Sequence, residues 1–486
     1  MGFAASVLIT ICAAAGLEII LDLYFWDTNV KKQGPSDNPG WSSIRYKVYP
    51  DINATDNHLR HVILLLEKMG YKQAPIYDSD WDLLWAHEYP FLNASLSLQK
   101  VLYHQIVNHF PGIGFITSKV HLSTAALPFM PKAFRLPTQK YDFLKYAENN
   151  PDLLFVEKHN NHRFINIRSS SSINLNSSNS FIQEFIQNPF LVDGHKFDIG
   201  VYVVLTSVDP LIIYIYTGDA LFRYCLAKYY PFDARDVDKY VVGNNYLPTW
   251  KVHSLIKYYT TLGGSMQATF DAYVKDQGMN PSEIWLQVEE IIPQTILSKI
   301  HEISNKLKMY QSGIFFELLR FDFIVDDALK VYLMEVNMSP NLSSAHFKKN
   351  SLLYDQILYS VFNLVGIGSS LKNNRQKLHN KEEIVTSDKN IVINLNNCVR
   401  HLCHESCTTK ECELCLSCLN VNQVNILKKA YYEHLHKIDM KRIYPKPVAN
   451  PENFDIEAEV RNLSTKNAWL ARWYYWKCKE NRSWCQ

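Results

Sequence analysis

The alternation of apolar and polar positions divides the chain before any single residue is considered. Residues 1–17 carry no charged side chain, and the apolar run resumes after Glu18 and again after Asp22. The span reaches the roughly 20 apolar residues of a transmembrane helix only by tolerating one of these acids near an edge. Residues 1–29 are read as a signal-anchor, with residues 3–26 in the membrane. A cleaved signal peptide is the close rival, since Ala13, Ala14 and Ala15 supply small residues, but the positive n-region is missing. A buried core helix is the third reading. Residues 30–57 are polar and turn-rich, a stem. From His58 to Met69 apolar residues recur at helical spacing, whereas 110–118 and 152–158 read as a turn followed by strand-like runs. Residues 169–180 are a polar, low-complexity loop. Strands are expected over 197–206 and 211–217, joined by a hairpin turn at Val208-Asp209-Pro210. Residues 282–309 have a helical pattern despite Pro293, and 314–325 and 330–337 read as paired strands around Asp326-Asp327. A polar linker over 369–397 closes a main region of 58–368. Residues 398–486 form a Cys- and Trp-rich C-terminal module, in which Trp469, Trp473 and Trp476 share one helical face. That stripe is expected to be core or a docking face. The pattern as a whole is α/β (α+β).

Composition narrows the function. Lys+Arg number 50 against 48 Asp+Glu, a net charge of only +2, which excludes a nucleic-acid binder held by bulk charge. Hydrophobic residues at 47% and aromatics at 13% exclude a disordered chain. Of the 10 cysteines, Cys398, Cys403, Cys407, Cys412, Cys415, Cys418, Cys478 and Cys485 fall in the tail. In an oxidising lumen this even set is a disulfide framework; in the cytosol Cys412, Cys415 and Cys418 with His401 and His404 could hold zinc, the weaker reading because two separated CxxC pairs are lacking. Sequons at Asn53, Asn93, Asn176, Asn337, Asn341, Asn462 and Asn481 give mild support to the luminal side. Lys31 and Lys32, just after the apolar segment, favour a cytosolic chain. Orientation stays open between the two. Glycine is scarce, at 17 residues.

The chemistry concentrates in residues 315–344. If Asp326-Asp327-Ala328-Leu329 closes a hairpin, Asp322 and Glu335 face each other, and side-chain alternation puts Asn337 on the same side as Glu335. Three oxygen ligands on one face suit Mg²⁺, which completes its shell with water and phosphate; a solvated strand face with incidental acids is the bland reading. Lys196 and Asp198 also alternate onto one strand face, and Lys158 ends an apolar run. Two lysines beside a carboxylate–amide set point to a Mg-nucleotide bound between sheets.

The stretches NHFPG (108–112), ITSK (116–119), FIQEFIQNPFLVDGHKFD (181–198), VYVVLTS (201–207), ALFRY (220–224), FELLRFD (316–322) and LMEVNMSP (333–340) resemble the tubulin tyrosine ligase-like family, and most its membrane-anchored, probable polyglutamylase branch. The resemblance runs in order over residues 100–345. It implies an ATP-grasp fold, ATP and Mg²⁺ as cofactors, and ligation of glutamate to glutamate side chains of tubulin or another acidic protein tail through an acylphosphate. By resemblance Lys158 and Lys196 touch phosphates, and Asp198 lies by the ribose. Gln183, Glu184, Phe185 and Ile186 line the adenine pocket. Arg223 lies near the phosphates or acceptor, so that Lys196 and Arg223 are the catalytic pair, and Asp322, Glu335 and Asn337 hold magnesium. The implied partners are the acidic tail, free glutamate and the membrane, with no nucleic acid.

The departures from that family are specific. A Gly-rich phosphate cover is replaced by Arg163-Phe164-Ile165-Asn166-Ile167, and without glycine the backbone cannot approach phosphate so closely. The arginine expected two residues after Asp198 is Gly200, and a His-Leu-Thr-Asn-Tyr motif is reduced to Val242-Gly243-Asn244-Asn245-Tyr246. Arg320 stands where a glycine is expected beside the metal strand. Loss of one such cation could cost several kcal/mol of transition-state stabilisation, so Arg320 or Arg163 would have to compensate. The rival function is a luminal binding protein of the same fold, impaired at Gly200, Phe164 and Asn166.

Overall fold

The computed structural model describes residues 44–50, 58–75, 78–92, 98–159, 165–176, 180–310, 314–367 and 386–486. The expected anchor, Cys12, Arg163, Phe164 and most of the linker lie outside these residues. Among the described residues no helix is long and apolar enough to cross a membrane.

Residues placed in the stem by their polarity form strand β1 (Arg45–Tyr49). Its two charged residues disguise it, yet Tyr46, Lys47 and Val48 are all buried. With β2 (Lys72–Gln73), β3 (Leu83–Ala86) and β4 (Ile106–Val107) it builds a parallel sheet. The helix Arg60–Lys68 supplies the crossover that parallel pairing requires, burying Val62, Ile63 and Leu66. The strand-like reading of 110–118 is corrected. Gly114–Thr117 and Lys119–Ser123 are short helices, because Ile113, Ile116 and Val120 recur at helical spacing and all are buried.

A smaller antiparallel sheet follows: β5 (Ala133–Arg135), β6 (Leu154–His159), β7 (Asn166–Ser169) and β8 (Ser180–Glu184), ordered β5-β8-β6-β7. One face covers Phe143 of the helix Lys140–Glu148 with Phe134, Phe155 and Ile182.

The third sheet is organised by β9 (Phe197–Val208), whose length lets it pair with three strands. Along one edge lie β10 (Leu211–Tyr216), after a turn at Asp209-Pro210, and then β11 (Leu221–Tyr224), which is extended by β12 (Leu247–Pro248). After the helices Ser282–Leu297 and Ile300–Leu307, β13 (Ile314–Phe315) returns to β4 of the first sheet. The chain then enters the third sheet as β14 (Glu317–Val325), on the free edge of β9, and β15 (Val331–Asn337). Consecutive strands therefore tie two sheets together. A buried His109–Glu317 pair at 2.6 Å, with the Phe110 amide donating to the same carboxylate at 2.8 Å, pins the junction.

The tail joins this sheet. The strand β16 (Met440–Tyr444) pairs with β10, and Glu433 accepts from the Thr206 and Tyr214 hydroxyls at 3.1 and 3.3 Å. Two charged residues within β16, Lys441 and Arg442, hide this strand from a hydrophobicity reading; Arg442 is nonetheless buried, its guanidinium over the Tyr474 ring at 3.8 Å. The tryptophan face of the helix Thr465–Glu480 is core, with Trp469 and Trp473 buried and Trp476 partly so. Disulfides link Cys398–Cys415, Cys403–Cys412, Cys407–Cys418 and Cys478–Cys485, and Cys225 is free and buried. All six cysteines of 398–418 are thus in disulfides, and among the described residues no group of three His, Cys, Asp or Glu is placed to hold a metal. Residues 44–486 form one compact unit of mixed α/β architecture, consistent with an ATP-grasp-like fold.

Candidate active site

Four adjacent strands, β11-β9-β14-β15, present one polar face built by alternation. Phe197, Ile199, Val201 and Val203 of β9 and Leu319, Phe321 and Phe323 of β14 point the other way and are buried. The positions between them are Asp198, Gly200 and Tyr202 on β9 and Arg320 and Asp322 on β14, and the register aligns them with the charged residues of the flanking strands. Arg223 lies opposite Asp198, Asp322 opposite Gly200, Arg320 opposite Tyr202, Glu335 opposite Asp322, and Asn337 opposite Arg320. The hairpin pairing of Asp322 with Glu335, read from the sequence, is the observed one.

The charges are already partnered. Arg223 donates to both Asp198 oxygens at 2.8 Å and to Asp322 Oδ2 at 3.1 Å. Arg320 grips Asp322 through Nε and Nη2 at 2.6 and 2.8 Å. The Asn337 amide donates to Asp322 at 3.0 Å and to Glu335 at 3.2 Å, and Lys119 Nζ reaches the other Glu335 oxygen at 2.8 Å. Burial alone would raise the Glu335 carboxyl; Lys119 and Asn337 instead hold it well below the usual range. Burial, with Asp322 close by, lifts Asp198 to about 6 against the pull of Arg223. Nothing in the sequence beyond the ITSK stretch marks Lys119 as a site residue, because it stands on a five-residue helix with no pattern of its own.

Two lysines are treated differently. Lys158, on β6, donates to Gln183 Oε1 at 2.8 Å, and burial lowers it to about 8. Lys196 lies over the Phe185 ring at 5.0 Å, donates to the Tyr240 carbonyl at 3.2 Å, and is lowered chiefly by burial. Each has a neutral hydrogen-bond partner, where Arg223, Arg320 and Lys119 have carboxylates. With Lys119 from its helix and Lys158 from β6 reaching it, the site gathers Lys119, Lys158, Lys196, Arg223 and Arg320 against Asp198, Asp322 and Glu335, leaving it cationic.

The other expected ligands divide. Gln183 is buried on the Lys158 side of β8, Phe185 is buried beside Lys196, and Ile186 is half-buried. Glu184 points to the opposite face of β8, where its carboxylate accepts from the Tyr146 hydroxyl at 3.0 Å, so its side chain does not join the set. Asn166, on β7, and Asn244 and Asn245 are exposed, whereas Tyr246 is buried and its hydroxyl accepts from Asn350 at 2.9 Å. A cavity of about 620 Å³, lined by Lys132, Phe134, Asp142 and Tyr146 among others, includes none of the expected ligands.

Two fits follow. For a nucleotide, a buried lysine and a half-buried one with no carboxylate bonded to either, beside an aromatic ring and a buried amide, supply what phosphates and a base need. For magnesium the residue types are right, but their state is not. Both Asp322 oxygens are taken by guanidinium groups and Glu335 by an ammonium and an amide, so the set as arranged does not fit a dication that needs free oxygens in an octahedral shell.

A sequence profile of the tubulin-tyrosine ligase family matches residues 97–376. The probable tubulin polyglutamylase ttll-15 of Caenorhabditis elegans is 41% identical over 448 residues, which is 89% of this chain and 85% of that protein. The tubulin polyglutamylase TTLL6 of Mus musculus is 27% identical over 378 residues, covering 73% of this chain and 44% of its own length. The tubulin polyglutamylase TTLL7 of Homo sapiens is 25% identical over 320 residues, 60% of this chain and 36% of its own. The chain thus spans less than half the length of the two mammalian relatives.

Proposed function

The chain belongs to the tubulin-tyrosine ligase family, and on that premise we propose that it is an ATP-dependent carboxylate–amine ligase adding glutamate to glutamate side chains of tubulin tails. The observation that carries the proposal is the cationic face, on which two lysines remain free of carboxylates while every acid is held. In this reading Lys158 and Lys196 bind the phosphates, Phe185 and Gln183 border the base, and Asp198 is held by Arg223 beside the ribose. Bound ATP would supply the γ-phosphoryl group for activation of the acceptor carboxylate as an acylphosphate, with ADP as the leaving group; attack by the glutamate amine would then form the amide and release inorganic phosphate and a proton. Arg223 and Arg320 face the charge that develops and need little reorganisation, because both are fixed before substrate arrives.

The test is incorporation of labelled glutamate into tubulin in the presence of ATP by the full chain, with Lys196→Ala beside it. Incorporation that falls by at least 100-fold in the variant is the expected result. Equal incorporation in both would remove the enzyme reading.

A second reading is favoured by one observation, the four disulfides, which form in oxidising compartments. It makes the apolar N-terminal segment an anchor that leaves the folded region luminal, and the acceptor an acidic tail other than tubulin. Asn176, Asn341, Asn462 and Asn481 are exposed sequons. A mobility shift on glycosidase treatment of the expressed protein supports this side. No shift, with tubulin modified in cells, supports the cytosolic one.

A further inference from the structure

Asp322 sits at the centre of the polar face and is its most enclosed acid, 2% exposed. Arg320, from the same strand, folds back over it through two hydrogen bonds of 2.6 and 2.8 Å and is itself 7% exposed. The room for that fold is supplied by Gly200 across the register. A Cβ at 200 would lie 2.9 Å from Arg320 Cδ, 3.4 Å from its Nε and 3.4 Å from Asp322 Oδ1. Thus the space over Asp322 is filled by the guanidinium and its stem, and the residue opposite has no side chain to contest it.

The charge around this point is settled without an ion. Asp322 holds two guanidiniums, Glu335 holds Lys119, and Lys158 and Lys196 add two cations with no acid of their own. A dication placed on Asp322 would meet Arg223 and Arg320 at hydrogen-bond range of the same oxygens and would have to evict at least one of them. A polyphosphate meets the opposite situation, a cationic face in need of an anion.

We infer that Arg320 is the built-in counter-cation of this face, standing where a divalent metal would be bound, and that the site takes a nucleoside polyphosphate without requiring a divalent ion. This inference rests on the reading of the face as a nucleotide site. It concerns which cation meets the phosphates, and it leaves that reading intact if it fails.

The experiment is calorimetric titration of the full chain with ATP in Mg²⁺ and in EDTA, and with MgCl₂ alone. The expected result is a dissociation constant that differs by less than about threefold between the two buffers, and no heat from MgCl₂ alone. Arg320→Gln should weaken ATP binding in EDTA by at least tenfold, with the folded far-ultraviolet spectrum retained. Gly200→Ala, which crowds the same guanidinium without removing it, should weaken binding in the same direction. ATP bound at least tenfold more tightly in Mg²⁺ by the wild-type chain overturns the inference and keeps the nucleotide site. No binding in either buffer overturns both. The wild-type comparison decides the matter even if Arg320→Gln does not fold.

Discussion

Gly200→Ala is the smallest change that tests where Arg320 is seated. The new methyl would lie 2.9 Å from Arg320 Cδ, and that atom is no free end, since Nε and Nη2 beyond it are both held by Asp322. Overpacking of a confined site costs about 1–3 kcal/mol. The backbone at Gly200 lies outside the left-handed region, so alanine also removes unfolded-state freedom worth about 0.4–1 kcal/mol in the opposite direction. The net expectation is a destabilisation of about 1 kcal/mol. In an Arg320→Ala background the stem is gone and the nearest remaining neighbour is Asp322 Oδ1 at 3.4 Å, so there the same methyl should be neutral or stabilising by a few tenths. The coupling across the cycle is then about 1–2 kcal/mol, within the range measured for side chains in contact. Arg320→Ala alone removes one partner of a buried pair, a loss of about 3–5 kcal/mol, at the lower end here because Arg223 and Asn337 still donate to Asp322. Urea midpoints of the four proteins at one pH give the cycle. An equal shift from Gly200→Ala in both backgrounds would refute the placement of Arg320 over Gly200, and the inference built on it.

Three further outcomes are expected. Glu317→Gln leaves His109 and the Phe110 amide facing a weaker acceptor at the joint between two sheets, and should lower the urea midpoint by the equivalent of about 3 kcal/mol; a change under 0.5 would mean the pair is not structural. Reduction should loosen the tail, each disulfide closing 7 to 17 residues and contributing about 2–3 kcal/mol, so thiol labelling after denaturation should gain eight sites on reduction and the melting temperature should fall beforehand. Lys158, lowered to about 8, loses its charge as pH rises through that value, so ATP binding should weaken between pH 7 and 9 and Lys158→Arg should flatten the profile. Its linkage to stability has the opposite sense: above about 8 the unfolded chain binds more protons at this residue than the folded one, so this contribution to stability rises with pH.

The polar face was legible because strand alternation and hairpin register are local rules. Once Asp326-Asp327 is taken as a turn, Asp322, Glu335 and Asn337 follow, as do Lys196 and Asp198 from their own strand. What escaped was pairing that no local rule specifies. Lys119 reaches Glu335 from a one-turn helix distant in sequence. The tail strand β16 adds to β10 although two of its five residues are Lys and Arg, because Arg442 finds an aromatic ring in the interior. Glu184 was grouped with its neighbours as a pocket residue, yet in a strand adjacent residues face opposite sides, and the sheet had to be seen before its face could be assigned. The cysteines stated their number and their clustering but not their partners, since eight allow 105 pairings.

The pair Gly200 and Arg320 shows how a one-dimensional reading can misjudge a change in two places. Against the family pattern that the sequence resembles, position 200 lacks an expected cation and position 320 carries an unexpected one; counted separately, the first reads as a damaged active site and the second as an oddity. Across the sheet they are one rearrangement. Gly200 faces Asp322, Arg320 is two residues back on the same strand, and the arginine stem passes through the volume that a side chain at 200 would fill. The cation that the family resemblance implies at position 200 thus has a counterpart on this face in Arg320, which is anchored on the neighbouring strand. Such a placement does not preserve geometry, because the guanidinium approaches Asp322 from its own strand and occupies both of its oxygens. Activity and metal dependence should accordingly be separable in this chain: a ligase can keep the electrostatic stabilisation that an arginine provides while losing the open carboxylate that a metal needs.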